Sequence, residues 1–469
     1  MSYKEPKAKD YGVNLCEGCF EKQLIIDRQF EEIQRLKQKL NVNRRRLTEG
    51  FFGSSTPSSQ VPVKANSLEE NQAKRGGAKL GHQGFGRQVF TSAEADEVRV
   101  AEVETEGCQF CQCQLVSHGA NERAIYDLQR EEVRKIYYEI GRKRCPQCRK
   151  VVAGKVANAM PNAKLSNELV AEVAEQHYVL GRTLGQIAGR FSLNYSTLSE
   201  SLQRVGKYLE PCLEKLKADY RQGQVRHADE TSWRTDGVGG YSWYFGTKEV
   251  SLYLFRNTRS ASVPKEVFGK EQLTGVLVVD RYAGYNRVPC KIQYCYAHLL
   301  REKKDLEIEF ETNEEVKNYT REMKICLTDA MQLRNRQLSE SEYLREAAAI
   351  KNKILALSER QAVHPAIRKW QDFYVEKADR LYQWCESAEI PAENNYAERE
   401  IRKVVIARKM SFGSQSQAGA KTREIWTSIL QSLKKREENP RDKLITALNR
   451  LSQNKDLDIA GELFGSQAC

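Results

Sequence analysis

Cys108-Gln109-Phe110-Cys111 and Cys145-Pro146-Gln147-Cys148 constrain this chain more tightly than any other feature. Two Cys-x-x-Cys knuckles with 33 residues between them (112–144) supply four thiolates, the donor set that tetrahedral zinc takes in a structural site. Both knuckles must face one ion, so the chain between them has to run out and return. Ile136, Tyr138 and Ile140 alternate as a strand entering the second knuckle, and the interval exceeds the usual spacing of about 15–20 residues by enough for an added hairpin or turn. The expectation is a zinc ribbon. Cys113 and His118 read as bystanders, and Cys16 with Cys19 offers only half of a ligand set.

Bulk properties narrow the class. With 13 cysteines, no run of about 18 apolar residues and no charged-apolar-small leader, the expected location is the cytoplasm, with thiols that bind metal or sit buried rather than pair. A net charge of +12 fits a nucleic-acid partner. A length of 469 residues leaves room for several domains.

Three acids suggest chemistry. Asp229, in Val225-Arg226-His227-Ala228-Asp229, and Asp280, after Gly275-Val276-Leu277-Val278-Val279, each end or interrupt an apolar β-branched run, which reads as a buried strand carrying a carboxylate. Glu398 lies on a helix from Asn394 to about Met410, where helical spacing groups Asn394, Glu398, Ile401, Arg402 and Val405 on one inward face. Glu393 and Glu400 are its rivals. Such an oxygen-rich set suits magnesium, which shares its coordination with water and phosphate oxygens. Each acid alone could be a cap or an ion-pair partner.

His227-Ala228-Asp229-Glu230-Thr231, Asp280-Arg281-Tyr282-Ala283-Gly284-Tyr285, Cys295-Tyr296-Ala297-His298-Leu299-Leu300-Arg301 and Asn394-Asn395-Tyr396-Ala397-Glu398-Arg399 occur in the order that resembles the insertion-sequence-66 family of bacterial transposases. The resemblance implies an RNase-H-like catalytic domain with an Asp-Asp-Glu triad at Asp229, Asp280 and Glu398. It implies two magnesium ions, replaceable by manganese, that direct water at the element's end and then the freed 3′-hydroxyl at target DNA. The implied partners are double-stranded DNA (transposon ends and target), further copies of the chain, and accessory proteins of the same element. Two alternatives share these residues: a zinc-containing sequence-specific DNA-binding protein with an inactive or domesticated core, and a nuclease without strand transfer.

The expected fold class is multidomain α+β, with an RNase-H-like α/β core and helical insertion preceded by a zinc ribbon and a helical DNA-binding region. Residues 1–50 form an N-terminal helix whose Ile26, Ile33, Leu36 and Leu40 suit a short coiled coil or a packed stripe. A linker with a basic Gly-rich segment, 51–90, carries Lys79, His82 and Arg87, suited to phosphates. The ribbon takes 91–160. Within 161–222 a helix-turn-helix-like pair offers Gln186, Ser196 and Thr197 to DNA, or simply packs. The core, 223–430, is read as β-β-β-α-β-α-β with an insertion at about 299–390, and a helical tail fills 431–469. His298, Arg301, Lys303, Lys304, Arg399 and Arg402 are candidate phosphate contacts.

Overall fold

The computed structural model describes residues 90–465 apart from 104, 109, 130 and 131, together with Lys22, Ile25, Ile26, Gln29 and Glu32. The chain divides into two units, Met1–Ser67 and Leu68–Cys469. In the first, those five residues are helical, with Ile25 and Ile26 exposed. Cys16, Cys19, Ile33, Leu36, Leu40, Lys79, His82 and Arg87 lie outside the described residues.

The ribbon is a four-stranded sheet of β1 (Glu97–Ala101), β2 (Val116–Gln129), β3 (Glu132–Arg144) and β4 (Val151–Ala153). β3 is its hub, parallel to β1 and antiparallel to β2 and β4. The long β2–β3 hairpin occupies the interval between the knuckles. Ile125, Ile136, Tyr138 and Ile140 pack on Val156 and Ala159 as its core.

Four helices follow: α1 (Asn167–Tyr178), α2 (Leu184–Phe191), α3 (Tyr195–Leu209) and α4 (Pro211–Gln222). α1 buries Leu169, Val170, Val173 and Ala174. Thr183 and Gln186 close a capping box on α2, satisfying donors that a helix start leaves unpaired. Ser192 takes the left-handed conformation (φ 52°) and Asn194 caps α3, so the three-residue turn reverses the chain without a glycine.

The central sheet contains β5 (Val225–Thr235), β6 (Val238–Gly246), β7 (Ser251–Arg256), β8 (Val276–Val279) and β9 (Lys291–Tyr294), in the order β7-β6-β5-β8-β9. The β5–β6–β7 meander is antiparallel, whereas β8 and β9 run parallel to β5. Helix α5 (Ser262–Phe268) connects β7 to β8. The helix expected between β8 and β9 is a single 3-10 turn, Ala283–Tyr285; residues 280–290 are too few for a full crossover helix. β9 stops at Tyr294, and Cys295 is the N-cap residue of the next helix.

After β9 the chain is helical: α6 (Tyr296–Glu309), α7 (Glu314–Gln332), α8 (Glu340–Glu359), α9 (Pro365–Glu376) and the short α10 (Ala378–Leu381) precede α11 (Asn395–Ser411), α12 (Gln417–Arg436), α13 (Pro440–Gln453) and α14 (Ile459–Phe464). α12 starts at Gln417, where Ser416 caps it. It covers the outer edge of the sheet. The N–H groups of Ser251, Tyr253 and Phe255 on β7 donate to Ser432 Oγ (2.9 Å), Ser428 Oγ (2.9 Å) and Glu424 Oε2 (3.2 Å). Four helical residues rise about 6 Å and two strand residues about 6.8 Å, so positions 424, 428 and 432 keep step with alternate strand residues. Side chains thereby take the place of a neighbouring strand and leave no open edge there.

Candidate active site and metal centre

β5 and β8 pair Val225 with Val276, Arg226 with Leu277 and His227 with Val278. The same offset continued sets Asp229 level with Asp280, where β8 ends. Asp229 also pairs with Tyr244 on β6. Strand alternation turns Asp229 to the face of Trp233 and Tyr244, and that face packs on Ala397, Ile401 and Val404 of α11. Glu398 rides on the first turn of this same helix.

The inward face of α11 is thus Ala397, Ile401 and Val404. Arg402, expected to face inward with Glu398, is exposed, and Val405 is half-buried. The offset arises because Asn394 is the cap and buries itself, leaving Glu398 on the flank of the stripe.

Asn394, 2% exposed, joins three segments. Its Nδ2 donates to Ala228 O (2.7 Å), its Oδ1 pairs with His227 Nδ1 (2.9 Å), and its backbone N–H donates to Cys295 Sγ (3.1 Å). The amide therefore fixes where α11, and with it Glu398, starts relative to β5. Asn394→Ala is expected to cost about 2–4 kcal/mol, since it strands a buried imidazole and carbonyl; urea denaturation measures this.

The acids differ in environment. Asp229 Oδ1 accepts from Glu230 N and Asp280 Oδ1 from Tyr282 N, both at 2.9 Å. Burial, then the charges of Glu230 and Asp280, hold the Asp229 carboxyl well above its ordinary range. Glu398 accepts from Arg301 Nη2 at 3.1 and 3.3 Å and lies 3.9 Å from His298 Nδ1. Among the described residues, the sets of three or more ligand groups drawn within 4.8 Å are Cys108, Cys111, Cys145 and Cys148, and Cys295, His298 and Glu398. Asp229, Asp280 and Glu398 are not gathered that tightly; Glu398 turns toward Arg301.

A fourth acid, Glu230, was legible only as part of a motif. Its side chain, 2% exposed, accepts from Tyr285 Oη (2.6 Å) and Arg259 Nε (2.8 Å). Burial and Asp280 raise its carboxyl. The consecutive acids in an apolar strand were its only sequence signal.

Burial depresses His227 to about 4 from 6.5, so it is neutral at pH 7. The sign follows: as pH falls from 6.5 to 4, the unfolded chain takes up a proton that the folded chain refuses. Stability is lost in that window, by about 3 kcal/mol for a depression of this size. NMR titration of labelled histidines should find His227 titrating near 4; an ordinary midpoint would refute the buried-neutral assignment.

The other candidates scatter. Arg301, Lys304, Arg399 and Arg402 are exposed, Arg301 against Glu398, and His298 is half-buried. Lys303 is not a surface contact: it is fully buried, with Nζ 2.8 Å from the Trp370 ring centroid, because α6 turns that position into the helical insertion. Gln186 and Ser196 are exposed at the starts of α2 and α3, and Thr197 is half-buried.

At the ribbon, Cys108 and Cys148 sulfurs lie 3.5 Å apart and those of Cys111 and Cys145 3.2 Å. The knuckles match: Gln112 N donates to Cys108 O and Arg149 N to Cys145 O, with both residues left-handed (φ 59°). Tetrahedral zinc with Zn–S of about 2.3 Å separates sulfurs by about 3.8 Å, so this cluster needs little adjustment to hold it. The backbone N–H of Cys148 draws Cys145 down to about 6 and that of Phe110 lowers Cys108, while Cys111 and Cys148, which share protons with them, are raised; two of the four thiols are thus biased toward the thiolate that zinc binds. Cys113 contacts Gln147 and His118 is exposed, both outside the cluster.

A mixed sheet with acids level on adjacent strands, a helix-borne glutamate beside exposed arginines and a four-thiol ribbon define a multidomain α+β protein. The sequence matches the family described as "Transposase IS66 family" over residues 162–422, more than half of its length. The chain belongs to that family. It is also 23% identical over 334 residues to the uncharacterized protein y4qI of Sinorhizobium fredii, a match covering 61% of this chain and 60% of that protein. The aligned region is therefore less than two thirds of that relative. Among the described residues, no helix is long and apolar enough to cross a membrane.

Proposed function

We propose that this chain is a DNA transposase whose RNase-H-like core cleaves and joins DNA through Asp229, Asp280 and Glu398. The observation that carries the reading is the level placement of Asp229 and Asp280 on adjacent parallel strands, on the face covered by the helix bearing Glu398. The strand order β7-β6-β5-β8-β9, with β6 alone opposed to the rest, supports the fold assignment.

The donor set fits magnesium: hard oxygens only, with an Asp229 carboxyl destabilised by its acidic neighbours and therefore suited to a cation. Bound there, magnesium would activate the attacking oxygen and stabilise the leaving one in phosphoryl transfer. Asn394 sets the reach of Glu398, while Arg301 holds that carboxylate until it is needed. Arg259 and Tyr285 keep Glu230 turned aside. Arg399 and Arg402 attract phosphates to this edge. The zinc ribbon and the α2–α3 pair, with Gln186, Ser196 and Thr197, serve recognition of the element's ends.

Glu398→Gln should abolish magnesium-dependent cleavage of labelled end-bearing DNA, whereas Glu393→Gln and Glu400→Gln should keep it. Full cleavage by Glu398→Gln would remove that residue from the triad, and cleavage without joined product in wild type would favour a simple nuclease.

A further inference from the structure

A pocket of about 300 Å³ lies away from the acids, between the α1–α3 helices and the segment that leads into α12. Arg423 lines it and is 7% exposed. Its Nη2 donates to His177 Nε2 at 3.0 Å, and its guanidinium stands 5.1 Å from the Tyr178 ring and 5.2 Å from Trp233. His177 Nδ1 lies 2.7 Å from Arg182 O, so the proton belongs on Nδ1 and the ring that meets Arg423 is neutral. Among the described residues no carboxylate forms an ion pair with Arg423, and no Asp or Glu lines the pocket. A buried guanidinium without a counter-charge is costly.

Two helix starts supply further positive potential. Thr183, Leu184 and Gly185, the cap and first turn of α2, line one side, and Ser416 and Gly419, the cap and first turn of α12, line the other. A helix start carries a partial positive charge even where, as here, the caps take up the N–H groups of Gln186 and Gly419. The buried arginine is the independent sign that the cavity is made for an anion. Tyr195, 55% exposed, adds ring surface suited to a base.

We infer that this pocket binds a phosphate ester, with the anion between Arg423 and the starts of α2 and α12. The phosphate comes either from a DNA strand or from a free mononucleotide. The DNA source rests on the proposed transposase reading; the anion site does not. Ser414 bridges to Thr235, six residues beyond Asp229 on β5, or roughly 20 Å at strand rise. That is about six phosphates along a duplex strand, so a strand held here would be gripped well away from the reacting bond.

The test uses the full zinc-loaded chain in magnesium-free buffer. Inorganic phosphate, deoxyadenosine 5′-monophosphate and a single-stranded oligonucleotide are each titrated calorimetrically into wild type, Ser416→Asp and Arg423→Gln. Aspartate is an effective helix cap, so Ser416→Asp should keep the wild-type melting temperature while adding negative charge at the pocket. Saturable binding by wild type, at least tenfold weaker in both variants, is expected. An oligonucleotide preference identifies a strand phosphate, and a mononucleotide preference identifies a free ligand. Equal binding by wild type and Ser416→Asp, or no saturable binding of any probe, overturns the site. Loss of probe binding by itself sinks only this pocket, and cleavage retained by Asp280→Asn sinks only the transposase reading, so the two failures are distinguishable.

Discussion

Removing zinc should melt the knuckle end of the ribbon while its far half stays folded. The knuckles share a small cluster, Val103, Leu115 and the cysteines themselves, with Val152 against it. These few apolar groups are too small a core to hold two reversing turns, and a zinc ion held by the four thiols would supply that folding energy directly. Farther along the hairpin, Ile125, Ile136, Tyr138 and Ile140 have their own core, and Arg123 ties β2 to Met160 O and Ala163 O. Hydrogen exchange on Cys145→Ser, or on chelator-treated protein, should show protection lost around 105–118 and 143–152 and retained around 122–140. Unchanged protection at the knuckles would mean that the thiols need no metal.

The second large effect is a separation of activity from stability at Asp229. Asp229→Asn should abolish cleavage and, without divalent metal, stabilise the fold. Its carboxyl is raised by burial and by Glu230 and Asp280, so ionising it in the folded state is unfavourable, by about 1.4 kcal/mol for each pH unit that the carboxyl is raised. The gain should be full above the raised folded value and vanish below about pH 4, where the unfolded carboxyl, ordinary value 3.8, also keeps its proton. Magnesium should raise the melting temperature of wild type and not of the variant. A destabilised Asp229→Asn would identify a structural acid instead.

The ribbon was legible because thiol spacing leaves few solutions, and the β2–β3 hairpin supplies the out-and-back path that the long interval demanded. Two strands of the core, β5 and β8, were legible from the apolar β-branched runs around Asp229 and before Asp280. The crossover helix was misjudged because residues 280–290, too few for one, hold only the single turn Ala283–Tyr285. Helical periodicity found α11 but misjudged its inward face by one residue, since a buried cap shifts the stripe. Lys303 was misread because α6 runs into an insertion whose aromatic interior includes Trp370, 67 residues later in the chain (370 − 303). Long-range partners of this kind leave no local pattern. The same holds for Arg423, whose neighbours His177 and Tyr178 come from α1 and Trp233 from β5.

The central claim is that Asp229, Asp280 and Glu398 form one metal-dependent site for cutting and joining DNA. Its most direct test is a magnesium-dependent cleavage and strand-transfer assay on labelled DNA carrying the element's own ends, with wild type and Asp280→Asn side by side. The account predicts cleaved and joined product from wild type, and from Asp280→Asn bound DNA with neither. Cleavage and joining by Asp280→Asn at the wild-type rate would contradict it.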